Sequence, residues 1–254
     1  MLDFTNIFSN KYNFTDTKIS GDLVVCREGL IDGNLFGDNL NDFWHSRATY
    51  LNVPKEEYDK HVVIEFEKIL NAPNHSEFNL WFEFDLFCQV NMWFIISIIN
   101  NLSIKKNVYA VYTSHLNKTN KQFWNGFGRA NTNELINCFD QRILLNDIDL
   151  QFGQELWYAY KSKNHEELIR LAKNPPLNFP YLKEVIQAHV DRFPKDDTMG
   201  RPEKVIEDII QNGITEFEEV FREFYNRESI YGFGDTQVKY LYDKLILRQF
   251  SNQN

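Results

Sequence analysis

Residues 86–102, LFCQVNMWFIISIINNL, form the most hydrophobic stretch of the chain, and they limit what it can fold into. The stretch is shorter than the about 20 apolar residues that a membrane-spanning helix needs. Polar side chains also interrupt it, at Gln89, Asn91, Ser97 and Asn100. The sequence therefore predicts a helix that is buried on all sides in a protein core, and it predicts no membrane span.

Short apolar runs precede and follow this helix, and their β-branched and aromatic residues are typical of strands. The predicted strands are residues 2–8, 22–26, 78–83 and 107–113. Apolar residues at helical spacing predict helices at residues 42–51 and 55–70. This alternation favours an α/β fold with an N-terminal, Rossmann-like, mainly parallel sheet and flanking helices.

Past about residue 140 the sequence shows helical patterns alone. The predicted helices there are residues 153–162, 165–173, 180–193, 205–210, 217–224 and 238–246. Thr215 and Glu218 have the spacing of a capping box for the fifth of these. We expect three parts: an α/β domain with the candidate pocket at residues 1–140, a helical extension at residues 141–194, and a small all-α, trihelical and winged-helix-like domain at residues 195–254.

The chain is acidic, with a formal net charge of -9. Negative charge is repelled by phosphate backbones and by anionic lipid. In residues 195–254 acidic side chains also outnumber basic ones, whereas a DNA-binding domain concentrates positive charge. Nucleic acid and membranes are therefore disfavoured as partners.

The three cysteines, Cys26, Cys88 and Cys138, are an odd number without a CxxC motif. This pattern disfavours a disulfide framework and a zinc ribbon, and the apolar neighbours of each thiol are typical of reduced, buried cysteines. The N-terminal residues lack the basic region and apolar run of a signal peptide. These features predict a cytoplasmic protein.

Acidic side chains follow two of the predicted strands at the points where the strands end. Glu28 follows the first together with Arg27, and Glu83 and Asp85 follow the second. Because open α/β sheets bind ligands at the carboxyl ends of their strands, we predict a pocket there. In it Glu28, Glu83 and Asp85 would be catalytic and hold a proton or a cation. Arg27 would contact an anion, and Gln89, one turn after Asp85, would orient the ligand.

A purely structural role for the same residues stays open at this stage. Asp85 stands where it would cap the buried helix, and Glu28 could simply pair with Arg27. Cys88 is disfavoured as a nucleophile because neighbouring carboxylates raise the pKa of a thiol. No histidines are spaced as a pair of metal ligands, so no metal site is predicted. His189, on an apolar helical stripe, is predicted to be a satisfied core residue.

Two segments with paired glycines could form loops around a ligand. GFGRAN (residues 126–131) could wrap a phosphate with backbone amides and Arg129, but two glycines are non-specific, and a flexible loop is favoured. YGFGDTQ (residues 231–237) predicts a turn capped by Asp235.

Several blocks of the sequence together resemble a bacterial family, domain of unknown function 1835. They are GDLVVCREGLIDG, FWHSRATYL, LWFEFDLFCQVNMW, GFG, RFP and YGFGDTQ, and they extend over nearly the whole chain. The resemblance implies the same α/β domain followed by a helical C-terminal region, and it adds Asn6 and Arg47 to the expected ligand-binding residues. It implies an organisation and a site, and neither an activity nor a cofactor.

The chain departs from the family pattern at the expected site. Ile7 and Phe8 stand where the family has Gly and Asp, and Cys26 stands in place of a Trp before Arg27 and Glu28. Phe84 replaces the His of a Glu-His-Asp motif. An acid and a histidine are thus missing from the expected site.

The leading hypothesis is a cytoplasmic protein that binds a small polar or phosphorylated ligand at this acidic pocket, whether or not it acts on it. The alternative is a non-enzymatic interaction or regulatory protein whose acidic helical C-terminal region binds a protein, motivated by exposed aromatics such as Phe233. A DNA-linked regulator is less favoured. A homo-oligomer is compatible with each hypothesis.

Overall fold

Helices make up most of the described chain, with one small sheet among them. The computed structural model describes residues 19–113, 124, 126–194, 196 and 198–251. In chain order the helices are α1 (Leu40–Tyr50), α2 (Lys55–Tyr58), α3 (Ile64–Leu70), α4 (Leu86–Asn100), α5 (Thr132–Asp140), α6 (Asp147–Lys161), α7 (His165–Leu171), α8 (Leu182–Asp191), α9 (Arg201–Gln211), α10 (Phe217–Glu228) and α11 (Asp235–Ser251). The strands are β1 (Ser76–Trp81), β2 (Lys106–Val111) and β3 (Ile143–Leu145). A π-helical turn (Asp59–Val63) joins α2 to α3, and Phe127–Arg129 and Ser229–Tyr231 form 3-10 turns.

The buried helix α4 connects two parallel strands. β1 and β2 pair in parallel, with Trp81 opposite Val111, and β3 pairs with β2 in antiparallel orientation. Side chains such as Val90 and Trp93 on α4 are fully buried, as their apolar sequence predicts. Within the described part of the chain, no helix combines the length and apolar character that a membrane crossing requires.

The prediction of a Rossmann-like, mainly parallel sheet is wrong. Three helical segments, α1 to α3, precede the first strand, and the sheet has three strands of mixed direction. The predicted strand at residues 22–26 is not a strand, because side chains take up its backbone groups. Glu65 accepts from the Val25 N–H (2.9 Å), and Lys68 donates to the Leu23 carbonyl (3.1 Å). The predicted strand at residues 2–8 lies outside the described residues.

Other local predictions have mixed outcomes. The structure confirms the predicted helices at residues 42–51 and 55–70. It also confirms the buried helix, the two strands around it and the predicted helices after residue 146. The strand β3 was missed, because it has only three residues. The capping box of Thr215 and Glu218 is wrong, because α10 begins after Glu216 without a side-chain cap.

The largest cluster of buried hydrophobic side chains has members from Leu30 to Leu245, so the C-terminal helices contribute to the same core as α4. The predicted division into three parts stays a prediction.

Side chains of the two parallel strands alternate between two sides of the sheet. Leu80 and Tyr112 belong to the main core, whereas Trp81 and Val111 pack with Phe127 in a second cluster beside α5. Since successive residues of a strand point to opposite faces, this alternation fixes which way the residues directly after β1 and β2 point.

Candidate functional site

Three potential metal-ligating side chains meet between the end of β1 and the first turn of α4. Glu83, Asp85 and Cys88 each offer one donor atom, and these atoms all lie within 4.8 Å of one another. We call these three residues the strand-exit cluster. Asp85 is buried, whereas Glu83 and Cys88 are partly exposed.

Asp85 is the N-cap of α4. Its Oδ1 accepts a hydrogen bond from the backbone N–H of Cys88 over 2.9 Å, which satisfies one of the unpaired amides at the start of a helix. The same turn brings the Cys88 side chain towards the carboxylate. The local sequence D-L-F-C therefore places two members of the cluster, Asp85 and Cys88, together at the start of one helix.

Glu83 is held by the loop that follows β2. Its Oε1 accepts from the backbone N–H groups of Gly126 (2.6 Å) and Phe127 (2.7 Å). These are amides of the GFGRAN segment that the sequence offered as a phosphate cradle, and here they bind a carboxylate of the protein itself. Gln89 donates from Nε2 to the backbone carbonyl of Glu83 over 2.8 Å, so this side chain holds the strand exit in place.

Burial raises the pKa of all three groups. Burial, and next the charge of Glu83, raise the pKa of Asp85 from its ordinary value of 3.8 to about 7. Burial also raises the pKa of Glu83, although the amides of Gly126 and Phe127 oppose the shift. Burial and both carboxylates raise the pKa of the Cys88 thiol well above its ordinary range. Buried acids of this kind favour a proton or a cation as partner over an unpaired charge.

Glu28 and Arg47 form a separate, enclosed ion pair. Nε of Arg47 donates to Oε2 of Glu28 over 2.9 Å, and the hydroxyl of Tyr58 donates to Oε1. Arg47 also donates to the backbone carbonyls of Asp32 (2.8 Å) and Gly29 (3.2 Å). The guanidinium of Arg47 is therefore used inside the protein, where it joins α1 to the segment before it.

The predicted site residues are therefore brought together in part. Glu83, Asp85 and Gln89 are adjacent, whereas Glu28 pairs with Arg47. Among the described residues, no hydrogen bond or ion pair joins Glu28 to either acid of the cluster. Arg27 is partly buried beside Glu28, and Asn6 lies outside the described residues.

Aromatic rings pack around Phe84, between two members of the cluster, and one buried hydroxyl follows the neighbouring strand. Phe84 packs against Tyr112 (5.0 Å between ring centroids) and Tyr181 (5.1 Å) on the side of the main core. Thr113 comes two residues after the end of β2, as Glu83 comes two residues after the end of β1, and the paired register itself ends at Trp81 and Val111. Thr113 is only 1% exposed, and in the described part of the chain its hydroxyl has no hydrogen-bond partner.

The C-terminal glycine turn also reaches the cluster. Gly232 has φ 62°, and a methyl group added there would lie 2.5 Å from Cγ of Asp85 and closer still to Oδ1. Sequence reasoning missed this contact and the roles of Cys88 and Thr113. The spacing of Asp85 and Cys88, from N-cap to third helical residue, could have revealed Cys88, but no sequence signal connects residue 232 to residue 85.

His189 is a core residue, as predicted, but it is not fully satisfied. Burial, and next the charge of Arg192, lower its pKa to about 3. Its ring packs on Tyr160 (4.7 Å) and Phe193 (5.4 Å), and among the described residues Nδ1 has no hydrogen-bond partner. The neutral ring fills space in the core.

Comparisons of the chain with protein-family models, curated proteins and solved structures found no match. The resemblance to the domain of unknown function 1835 family therefore stays a prediction, and the geometry of the strand-exit cluster is the basis for function.

Proposed function

We propose that the protein binds a divalent cation at the strand-exit cluster and, through that cation, a small polar or phosphorylated ligand. One observation carries the proposal: the donor atoms of Glu83, Asp85 and Cys88 lie within 4.8 Å of one another. These three groups, two carboxylates and one thiol, come from one strand end and one helix start.

The donor types indicate which cation fits. Two carboxylate oxygens and one sulfur suit a borderline-soft ion such as Zn²⁺, whereas Mg²⁺ and Ca²⁺ prefer oxygen alone. Three protein ligands leave a fourth tetrahedral position for water or a ligand oxygen, as in catalytic zinc sites. A cation held in this way can polarise a bound carbonyl or phosphoryl oxygen.

The acidity of the cluster supports a cation as its partner. Burial raises the pKa of all three groups, so each of them binds a proton more readily than an exposed group of the same type would. A divalent cation displaces those protons and neutralises the carboxylates in one step. Without the cation, two neighbouring carboxylates would repel an anionic ligand, and a phosphorylated compound would bind only weakly.

A test begins with metal-free wild-type protein and measures thermal unfolding with Zn²⁺, Co²⁺ or Mg²⁺. An ion at about 100 times its Kd adds roughly 2.7 kcal/mol to the free energy of unfolding, which raises the Tm by several degrees. We expect this shift with Zn²⁺ and Co²⁺ and a smaller one with Mg²⁺. The proposal is wrong if none of the three ions raises the Tm.

Cobalt also reports on the sulfur ligand. We expect Co²⁺ to give a thiolate-to-metal charge-transfer band that Cys88→Ser abolishes. Cys26→Ser is the matched control, because Cys26 is also a partly buried thiol but lies outside the cluster, and it should keep the band. A band that survives Cys88→Ser would place the ion elsewhere.

The ligand is sought in a second screen, with nucleotides and sugar phosphates added to the Zn²⁺-loaded and the metal-free protein. We expect a further Tm increase in the loaded protein alone. An equal increase in both would show that the ligand does not bind through the cation.

Of the aromatic side chains behind the interaction-protein alternative, Phe233 is only 7% exposed and packs against Phe224 and Tyr231, whereas Tyr240 of α11 is 69% exposed. The Phe233 ring therefore contributes to internal packing and offers no docking surface to a partner.

A further inference from the structure

The residue that encloses Asp85 comes from the far end of the chain. Gly232 follows the 3-10 turn Ser229–Tyr231, and its backbone lies directly against the Asp85 carboxylate. A methyl group added at Gly232 would also lie 3.0 Å from Cβ of Phe87. Oδ1 of Asp85 thus meets both this turn and the backbone N–H of Cys88.

The turn takes a conformation that favours glycine. Gly232 lies in the left-handed region, and its N–H donates to the carbonyl of Ser229 over 3.1 Å. Any side chain there would be strained in this conformation and would also collide with Asp85. Position 232 therefore requires glycine for two reasons: the turn needs a positive φ, and the Asp85 carboxylate leaves no room for a side chain.

Packing on both sides keeps the turn in place. Tyr231 is fully buried, and its ring lies 5.1 Å from that of Phe233. The guanidinium of Arg201 lies 5.7 Å from the Tyr231 ring, and that of Arg192 lies 5.3 Å from the Phe233 ring. A turn anchored by two flanking aromatic residues presents a fixed backbone surface to Asp85.

We propose that Gly232 is a positioning residue of the strand-exit cluster: its bare backbone holds the Asp85 carboxylate towards Glu83 and Cys88, so that the C-terminal part of the chain completes the cation site. This inference rests on the proposed cation binding. A methyl group at position 232 would push the carboxylate away from the other two donors, and groups that orient metal ligands typically change metal affinity by 10–100-fold.

The test compares two glycine variants of the full chain. Gly232→Ala adds a methyl group against Asp85, whereas Gly213→Ala adds one at another positive φ, 92°, with nothing within 4 Å. Both carry the cost of the left-handed backbone, so Gly213→Ala controls for loss of stability. The measurements are the Co²⁺ Kd, the intensity of the thiolate charge-transfer band, and the Tm of the metal-free protein.

We expect Co²⁺ binding at least about tenfold weaker in Gly232→Ala, with an altered band, and wild-type binding in Gly213→Ala. Should Gly232→Ala fail to fold, Phe233→Leu tests the same turn, because it loosens the anchor without adding an atom against Asp85. Wild-type Co²⁺ affinity in a folded Gly232 variant would overturn the inference and leave the proposed function intact. Absence of the band in the wild-type protein would instead overturn the proposed function.

Discussion

Arg47 and Glu28 form an ion pair in which neither side chain is exposed, with 2.8 Å between Nη2 of the arginine and Oε2 of the glutamate. The pair joins α1 to the segment before it, and Asn91 of α4 donates to the Glu28 carbonyl over 2.8 Å. Two residues that the sequence placed in the ligand site thus connect the N-terminal segment, α1 and the buried helix.

Replacing Arg47 by lysine should therefore destabilise the fold and leave cation binding unchanged. Lysine keeps the charge but loses the planar fork that reaches Glu28, Asp32 and Gly29 together. We expect the free energy of unfolding in urea to fall by about 3 kcal/mol. Arg170→Lys, at an exposed pair with Glu167, is the control and should change it by at most about 1 kcal/mol. A tenfold loss of Co²⁺ affinity in folded Arg47→Lys would contradict this assignment.

The stability of the metal-free protein should depend on pH through Asp85. Its pKa is about 7 when folded and 3.8 when unfolded, so the folded state binds the proton more tightly between these values. Stabilisation from this proton is complete below the unfolded pKa and is lost as the pH rises through about 7. Asp85→Asn keeps the N-cap but removes the titration.

We expect the difference in unfolding free energy between Asp85→Asn and wild-type protein to increase from pH 5 to about pH 7 and then level off. The steepest possible slope is about 1.4 kcal/mol per pH unit. Urea unfolding in the presence of a chelator measures it. A difference that does not change between pH 5 and pH 8 would show that Asp85 does not titrate there.

Phe84→His creates the Glu-His-Asp motif of the family that the sequence resembles. We expect that it does not strengthen cation binding. Phe84 is 2% exposed and points to the main core, where it packs on Tyr112 and Tyr181, whereas Glu83 points to the opposite face. We expect a loss of about 1–3 kcal/mol in urea unfolding, because an imidazole is buried among aromatic rings. Phe84→Leu serves as the apolar control, and Co²⁺ binding tighter in Phe84→His than in Phe84→Leu would refute the prediction.

Local patterns in the sequence were sufficient for the elements around the site. The apolar run of α4, the flanking strands and the Asp85 cap follow from residues close in sequence, and so does the adjacency of Glu83, Asp85 and Gln89. The sheet was mispredicted because residues 22–26 have the composition of a strand, yet Glu65 takes the backbone amide that a neighbouring strand would bind. No local pattern reveals that competition.

Contacts between residues that are distant in sequence could likewise not be predicted. Glu28 was expected at the ligand site, with its neighbour Arg27 as the alternative partner, but its ion pair forms with Arg47 of α1. The amides of Gly126 and Phe127 looked available for a phosphate, and Glu83 occupies them. In both cases a buried acidic side chain pairs with a group that is distant in sequence and becomes its neighbour only in the folded protein.

We expect Thr113→Val to keep or raise the stability of the protein and to weaken ligand binding. The Thr113 hydroxyl is buried just past the end of β2, the strand that pairs with β1, and within the described residues it has no partner. Removing a buried, unsatisfied hydroxyl with an isosteric side chain is neutral or stabilising, by up to about 1 kcal/mol. A phosphorylated ligand held by the cation would lose one hydrogen-bond donor, so we expect weaker binding of that ligand with unchanged Co²⁺ affinity.

Thr49→Val, at an exposed position of α1, is the control and should leave ligand binding unchanged. A clear loss of stability in Thr113→Val would mean that the hydroxyl already has a partner in the free protein, and that it is not reserved for a ligand.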